Sequence, residues 1–130
     1  MVTDPVADLI NRIKTAQMAK LPSISVPFSN LKLQIAELLS REGYVADVAK
    51  RGKKVKKFLD LTLKYEGTVP EVRGVKRISK PSRRVYIGAR DIKPVKYGHG
   101  MMVISTPKGL LTDKEARKEK VGGEALFSIW

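Results

Sequence analysis

Ser105 and Thr106 end an apolar run, Pro107 and Lys108 follow them, and Gly122, Gly123 and Glu124 come one short element later. Hydroxyls, a cation, glycines and a single carboxylate are groups that bind through hydrogen bonds and charge, and they do not make a clustered acid-base set. Pro107 holds the chain extended and Gly109 permits a tight bend with little side-chain bulk, so the corner is expected to be exposed. Thr112 and Glu115 have capping-box spacing. They predict a short helix whose first N–H groups face outward beside Lys108 and Lys114, a place to hold phosphate.

Two basic clusters point the same way. Lys50, Arg51, Lys53, Lys54, Lys56 and Lys57 crowd one hairpin turn, and Lys76, Arg77, Lys80, Arg83 and Arg84 crowd another, with Tyr86 two residues on. Either could be a solvated loop tip. In so basic a chain, phosphate contact is the better reading, and such contacts give affinity and register without sequence choice. Strand alternation puts Arg84 and Tyr86 on one face, where an aromatic beside a cation can stack an unpaired base, although half-buried packing is the plainer role of a strand tyrosine.

Other chemistries have little to stand on. The chain has no cysteine, which removes disulfides and thiolate metal sites. His99, the only histidine, sits between glycines with no converging partner. Gly98-x-Gly100 lacks the strand-to-helix setting of a dinucleotide fingerprint. No cofactor or metal is expected. The formal charge of +13, from 26 basic against 13 acidic residues, makes nucleic acid the economical partner. An anionic membrane is the weaker alternative, since no run nears the roughly 18 apolar residues of a spanning helix. The first residues resemble no secretion signal, so a cytoplasmic protein is the expectation.

The elements that must position these groups read as α+β in two small domains. Residues 1–66 are expected to hold two amphipathic helices against a three-stranded sheet. Asp4 before Pro5 opens the first helix, with Val6, Leu9, Ile10, Ile13 and Gln17 at helical spacing. The second helix follows a capping Ser29 and turns Leu31, Ile35, Leu38 and Leu39 inward until Gly43. Tyr44–Lys50 and Lys56–Tyr65 read as strands around an Arg51-Gly52-Lys53 turn. Residues 67–74 lose periodicity and are read as a linker. Residues 75–130 read as a β-rich unit with one short helix: a hairpin-like pair, Val75–Ser79 with Arg83–Ile87, a helical turn near 94–97, a strand into the corner, and a final strand. In that last strand Ala125, Phe127 and Ile129 are expected on one side.

The order Ser105-Thr106-x-x-Gly109-Leu110-Leu111-Thr112-Asp113-x-Glu115-Ala116-Arg117, then Gly122-Gly123-Glu124 and the aromatic Trp130, resembles the C-terminal signature of bacterial small-subunit ribosomal protein number eight. Asp4-Pro5-Val6-Ala7-Asp8-Leu9-Ile10 with Arg12-Ile13 resembles that family's opening. This resemblance covers the whole chain and implies a non-catalytic structural protein of the ribosome. Such a protein binds directly to the central domain of small-subunit ribosomal RNA, organises its junction, contacts neighbouring ribosomal proteins and represses its own operon through a messenger site imitating the ribosomal one. It further implies that the loop of Ser105, Thr106, Pro107 and Lys108, with Gly122, Gly123 and Glu124, reads a distorted stretch of RNA helix. The glycines would admit RNA closely and Glu124 would accept from exocyclic amines or a 2′-hydroxyl. Asp4, Lys32, Lys54, Lys56 and Lys57 would hold backbone, and Arg84 and Tyr86 complete the expected RNA-binding set. The sequence departs from the family's common pattern at Pro107, where a third hydroxyl usually stands, and at Lys118-Glu119-Lys120. Two other readings make different predictions. An RNA-modifying or cleaving enzyme using Glu124 and His99 would show activity on RNA, and a nonspecific binder would take duplex DNA equally well.

Overall fold

A computed structural model describes residues 4–53, 56–67, 69–95 and 99–130. The chain forms two compact units, one of Pro5–Arg73 and one joining Asp4 to Gly74–Trp130. Both mix helices with antiparallel sheet, so the fold is α+β. No helix among the described residues is long and apolar enough to cross a membrane.

In the first unit, α1 (Pro5–Met18), β1 (Ser23–Pro27), α2 (Asn30–Arg41), β2 (Val45–Lys53) and β3 (Lys56–Leu63) follow in order, then a short pair, β4 (Tyr65–Glu66) and β5 (Val69–Pro70). The three long strands form a sheet in the order β1-β3-β2. Leu59, Leu61 and Leu63 alternate along β3 and are buried, with Leu9, Ile10, Ile13, Ile35 and Leu39 of the helices buried as well. Ser29 caps α2 by accepting the Lys32 N–H at 3.1 Å. The inward stripe of α2 differs from the expected one: Lys32 is 7% exposed and Leu31 is 38% exposed. β2 runs through Arg51-Gly52-Lys53, which pair with Phe58, Lys57 and Lys56, so the expected turn is strand. Residues 54 and 55, including the candidate Lys54, lie outside the described residues.

The stretch expected as a linker carries structure of its own. Val72 is 3% exposed, and its N–H donates to Gln17 Oε1 at 2.7 Å while Gln17 Nε2 donates to the Lys64 carbonyl at 2.9 Å. The Gln17 amide, itself 1% exposed, therefore pins both ends of this stretch to α1. Gln17→Leu would strand the buried Val72 N–H, while the Lys64 carbonyl keeps the Glu71 N–H, and should cost about 2 kcal/mol in urea unfolding of the full chain.

In the second unit come β6 (Val75–Arg77), β7 (Tyr86–Ile87), a 3₁₀ turn (Ala89–Asp91), β8 (Met101–Thr106), β9 (Gly109–Thr112), α3 (Asp113–Glu119) and β10 (Gly123–Ile129). The sheet order is β6-β10-β8-β9, with β7 also paired to β10. Thus β6 and β7 do not form the expected hairpin; they lie end to end along one edge of β10, at Ile129–Phe127 and Glu124–Gly123. The Ser79 N–H donates to the Ala125 carbonyl and the Ala125 N–H to the Val85 carbonyl, each at 3.0 Å. Residues 80–84 are an excursion from an otherwise continuous edge, closed internally by the Lys80–Arg83 bridge. Ile92, Ile104 and Ala116 make a small core with Ile87, Met102, Leu111 and Val121 around it. A 3₁₀ turn lies at 89–91; of the turn expected near 94–97, Val95 is in 3₁₀ conformation and residues 96 and 97 lie outside the described residues.

Candidate nucleic-acid interface

β8 meets β9 through Pro107 and Lys108. Proline supplies the first corner residue, and Gly109 takes φ +104°, which a glycine adopts without strain. The Thr106 hydroxyl closes this corner, accepting from the Lys108 N–H at 3.1 Å and donating to the Gly109 carbonyl at 2.8 Å. Lys108 Nζ reaches Glu119 at 3.2 Å, with both side chains half exposed. Thr106 and Lys108 thus shape the exposed corner first.

Ser105 faces Glu124 across β8 and β10, and Glu124 faces Tyr86 across β10 and β7. Directly opposed residues on antiparallel strands put their side chains on one face. Tyr86, Glu124 and Ser105 are consequently one row: a ring 71% exposed, a carboxylate and a hydroxyl. Arg84 adds its guanidinium to that row, 3.0 Å from Glu124 Oε2. The hydroxyl corner and the glycine-acid segment, well separated in sequence, come together here. A bulge at Leu126 shifts the register, so Ala125 pairs with Ile104 and Phe127 with Val103. Ala125 and Phe127 therefore face opposite ways, against the simple alternation expected, while Phe127 shares the face of Glu124.

Glu124 is held from below. Ser79 donates to Oε2 at 2.5 Å, alongside Arg84. Burial alone pushes the Glu124 carboxyl up. The hydrogen bonds from Ser79 and Arg84 and the charges of Arg84 and Arg77 outweigh it and hold the group below its ordinary value.

At the start of α3, where phosphate is expected, the chain supplies its own caps. Thr112 and Asp113 are buried, the capping box forms with Glu115 N–H to Thr112 Oγ1 at 3.1 Å, and the Asp113 carboxylate accepts from the Met102 N–H. The Glu115 N–H is taken by the cap, and Asp113 at the first helical position is an acid. Gly122 and Gly123 also have a reason within the fold. A Cβ on Gly123 would stand 2.0 Å from the Ser105 carbonyl oxygen, and one on Gly122 2.3 Å from that of Ile87. These glycines let β10 enter between its neighbours, and the direction a side chain would take is filled by protein.

Asp4 is bound by Arg77 in a two-pronged pair at 3.0 and 3.2 Å, and Arg77 also donates to the Leu126 carbonyl. An acid so occupied is a structural partner. Lys32 likewise lies buried, with Nζ 3.8 Å from Asp8, which Arg12 also engages. It is not a surface cation waiting for phosphate.

In the first unit, Lys50 and Lys57 are exposed, each with Nζ 5.6 Å from the centre of the Phe28 ring. Arg51 instead lies over Phe58 at 5.2 Å and bonds Asp60 at 2.9 Å and Ser25 at 3.0 Å. The Ser25 hydroxyl and this guanidinium hold the Asp60 carboxyl below its ordinary range. Lys50 escaped the expected site set although the sequence had it in the basic run; Phe28, just before the α2 cap, is the signal that marks it. Lys56 takes part in β3 through its backbone. Among the described residues no three acidic or imidazole groups gather as for a metal ion.

Fold and surface together define a small, strongly basic α+β protein whose exposed chemistry is hydrogen bonding and charge. The model of the family described as ribosomal protein S8 matches residues 4–130. The small ribosomal subunit protein uS8 of Mycoplasmopsis pulmonis is 48% identical over 130 residues, covering 100% of this chain and 98% of its own. That of Dictyoglomus thermophilum is 46% identical over 129 residues, covering 99% and 98%, and that of Nitratidesulfovibrio vulgaris 45% over 130, covering 100% of both. The chain belongs to the ribosomal protein S8 family. It is a ribosomal protein and not an enzyme.

Proposed function

We propose that the chain is a constituent of the small ribosomal subunit that binds directly to the central domain of its RNA and fixes the geometry of a junction there. The single observation behind this reading is the row of Tyr86, Glu124 and Ser105 with Arg84 beside it. A-form RNA hides its base edges in a deep, narrow major groove, so a face of short donors and acceptors gains selectivity only at an irregular site. Tyr86 stacks on an unpaired base, Ser105 and Glu124 meet edges or 2′-hydroxyls, and the Pro107–Lys108 corner borders them. Lys50 and Lys57, with Lys54 and Lys56 of the same run, hold phosphate. Neighbouring small-subunit proteins are further partners. A messenger element of the same irregular shape would bind the same row and repress the operon.

A nuclease-protection footprint on small-subunit RNA tests the reading: protection should centre on one irregular helix of the central domain and survive excess duplex DNA. Protection scattered over regular helices, or lost to that competitor, would sink it. Hydrogen-bonding and phosphate-binding residues should also separate. Ser105→Ala is expected to weaken binding by about 1 kcal/mol with the salt slope unchanged. Replacing Lys50 and Lys57 together with glutamine should flatten that slope by roughly 0.7 to 0.9 for each phosphate no longer neutralised.

A further inference from the structure

Beneath the row sits a polar side chain that the sequence did not single out. Ser79 is 0% exposed, and its hydroxyl is engaged on both sides: it donates to Glu124 Oε2 at 2.5 Å and accepts from the Val85 N–H at 3.1 Å. Its own N–H and the Val85 carbonyl both bind Ala125. Ser79, Val85 and Ala125 are therefore the neck from which the basic excursion of residues 80–84 leaves the sheet. Arg84, the last residue of that excursion, bonds the same carboxylate oxygen at 3.0 Å. Two donors on one oxygen restrain a carboxylate that would otherwise rotate, and both are spent on Oε2. An acceptor fixed before binding loses less freedom when it binds and rejects a misplaced donor more strongly.

We infer that Ser79 is a positioning residue for RNA recognition: its hydroxyl orients the Glu124 carboxylate and closes the neck that holds Arg84. The inference rests on the row being the RNA-reading face. Ser79 touches no RNA itself and acts through Glu124. The charged groups around Glu124 are Arg84 from the excursion and Arg77 from β6; β7 offers the phenol of Tyr86 and β8 only the uncharged Ser105.

The experiment measures equilibrium binding of the full chain to two probes at fixed moderate salt. One is the small-subunit RNA fragment protected in the footprint; the other is that fragment repaired to uninterrupted Watson–Crick pairing. Wild type, Ser79→Ala, Glu124→Gln and the double variant are compared. Ser79→Ala is expected to cut the preference for the irregular fragment about tenfold with no change in salt slope, since no charge is removed. It should also move the acid limb of that preference to higher pH, because the lost donor had favoured the ionised carboxylate. In the Glu124→Gln background the same change should have little further effect, as required of a residue acting through Glu124. An equal loss in both backgrounds, or an unchanged preference in Ser79→Ala, would overturn the inference. Absence of any preference in wild type would instead remove the reading of the row. Should the alanine variant not fold, Ser79→Cys, close in shape but a weak donor, is expected to show the same loss.

Discussion

Gly123→Ala should destabilise the unit of Asp4 and Gly74–Trp130 by about 3 kcal/mol, the upper part of the range for overpacking, because the added methyl meets backbone that cannot rotate away. Ser105 lies in the middle of the sheet with its carbonyl 2.0 Å from that methyl, so β8 and β10 must part where Ser105 opposes Glu124. Loss of RNA selectivity should accompany loss of stability. Gly109→Ala provides the comparison: φ there is +104° but nothing lies within 4 Å of the added atom, so only backbone strain of about 1 kcal/mol is expected. Urea unfolding of both variants separates the causes. Equal effects would mean that strand spacing at Gly123 is not what demands glycine.

Arg77→Ala is the second large effect, about 3 kcal/mol. The Arg77 side chain is 11% exposed and that of Asp4 19%, and removing the guanidinium takes the two-pronged partner from a mostly buried carboxylate and leaves the Leu126 carbonyl with the Ile78 N–H alone. Breaking such a pair is worse than replacing it whole. Asp4→Asn combined with Arg77→Met should therefore recover part of the loss. If the double variant were less stable than Arg77→Ala, the stranded charge would not be the cause. Asp4 thus serves the stability of the second unit.

What the sequence made legible was local. The Ser29 cap, the Thr112/Glu115 capping box and the alternation of Leu59, Leu61 and Leu63 depend on neighbours within a few residues, and all three appear in the structure. The nearness of Ser105 to Glu124 followed from resemblance alone, since no periodicity links residues on separate strands. β9 was missed because Gly109–Thr112 is four residues squeezed between a bend and a helix cap, too short to show alternation. The hairpin of 75–87 failed because strand partners are chosen at long range: β10 took both halves. Lys32 misled because a charge on a helix reads as surface unless its partner, here Asp8 on α1, is known.

The neck at Ser79, Val85 and Ala125 has one more consequence. Since the chain rejoins the sheet beside the point where it departs, the four exposed residues from Lys80 to Arg83 can be lengthened, shortened or exchanged without altering the ladder behind them. Inserts grafted there should leave the scaffold intact and change only the length and charge of the loop itself, which makes this the natural place for the molecule to accept new sequence.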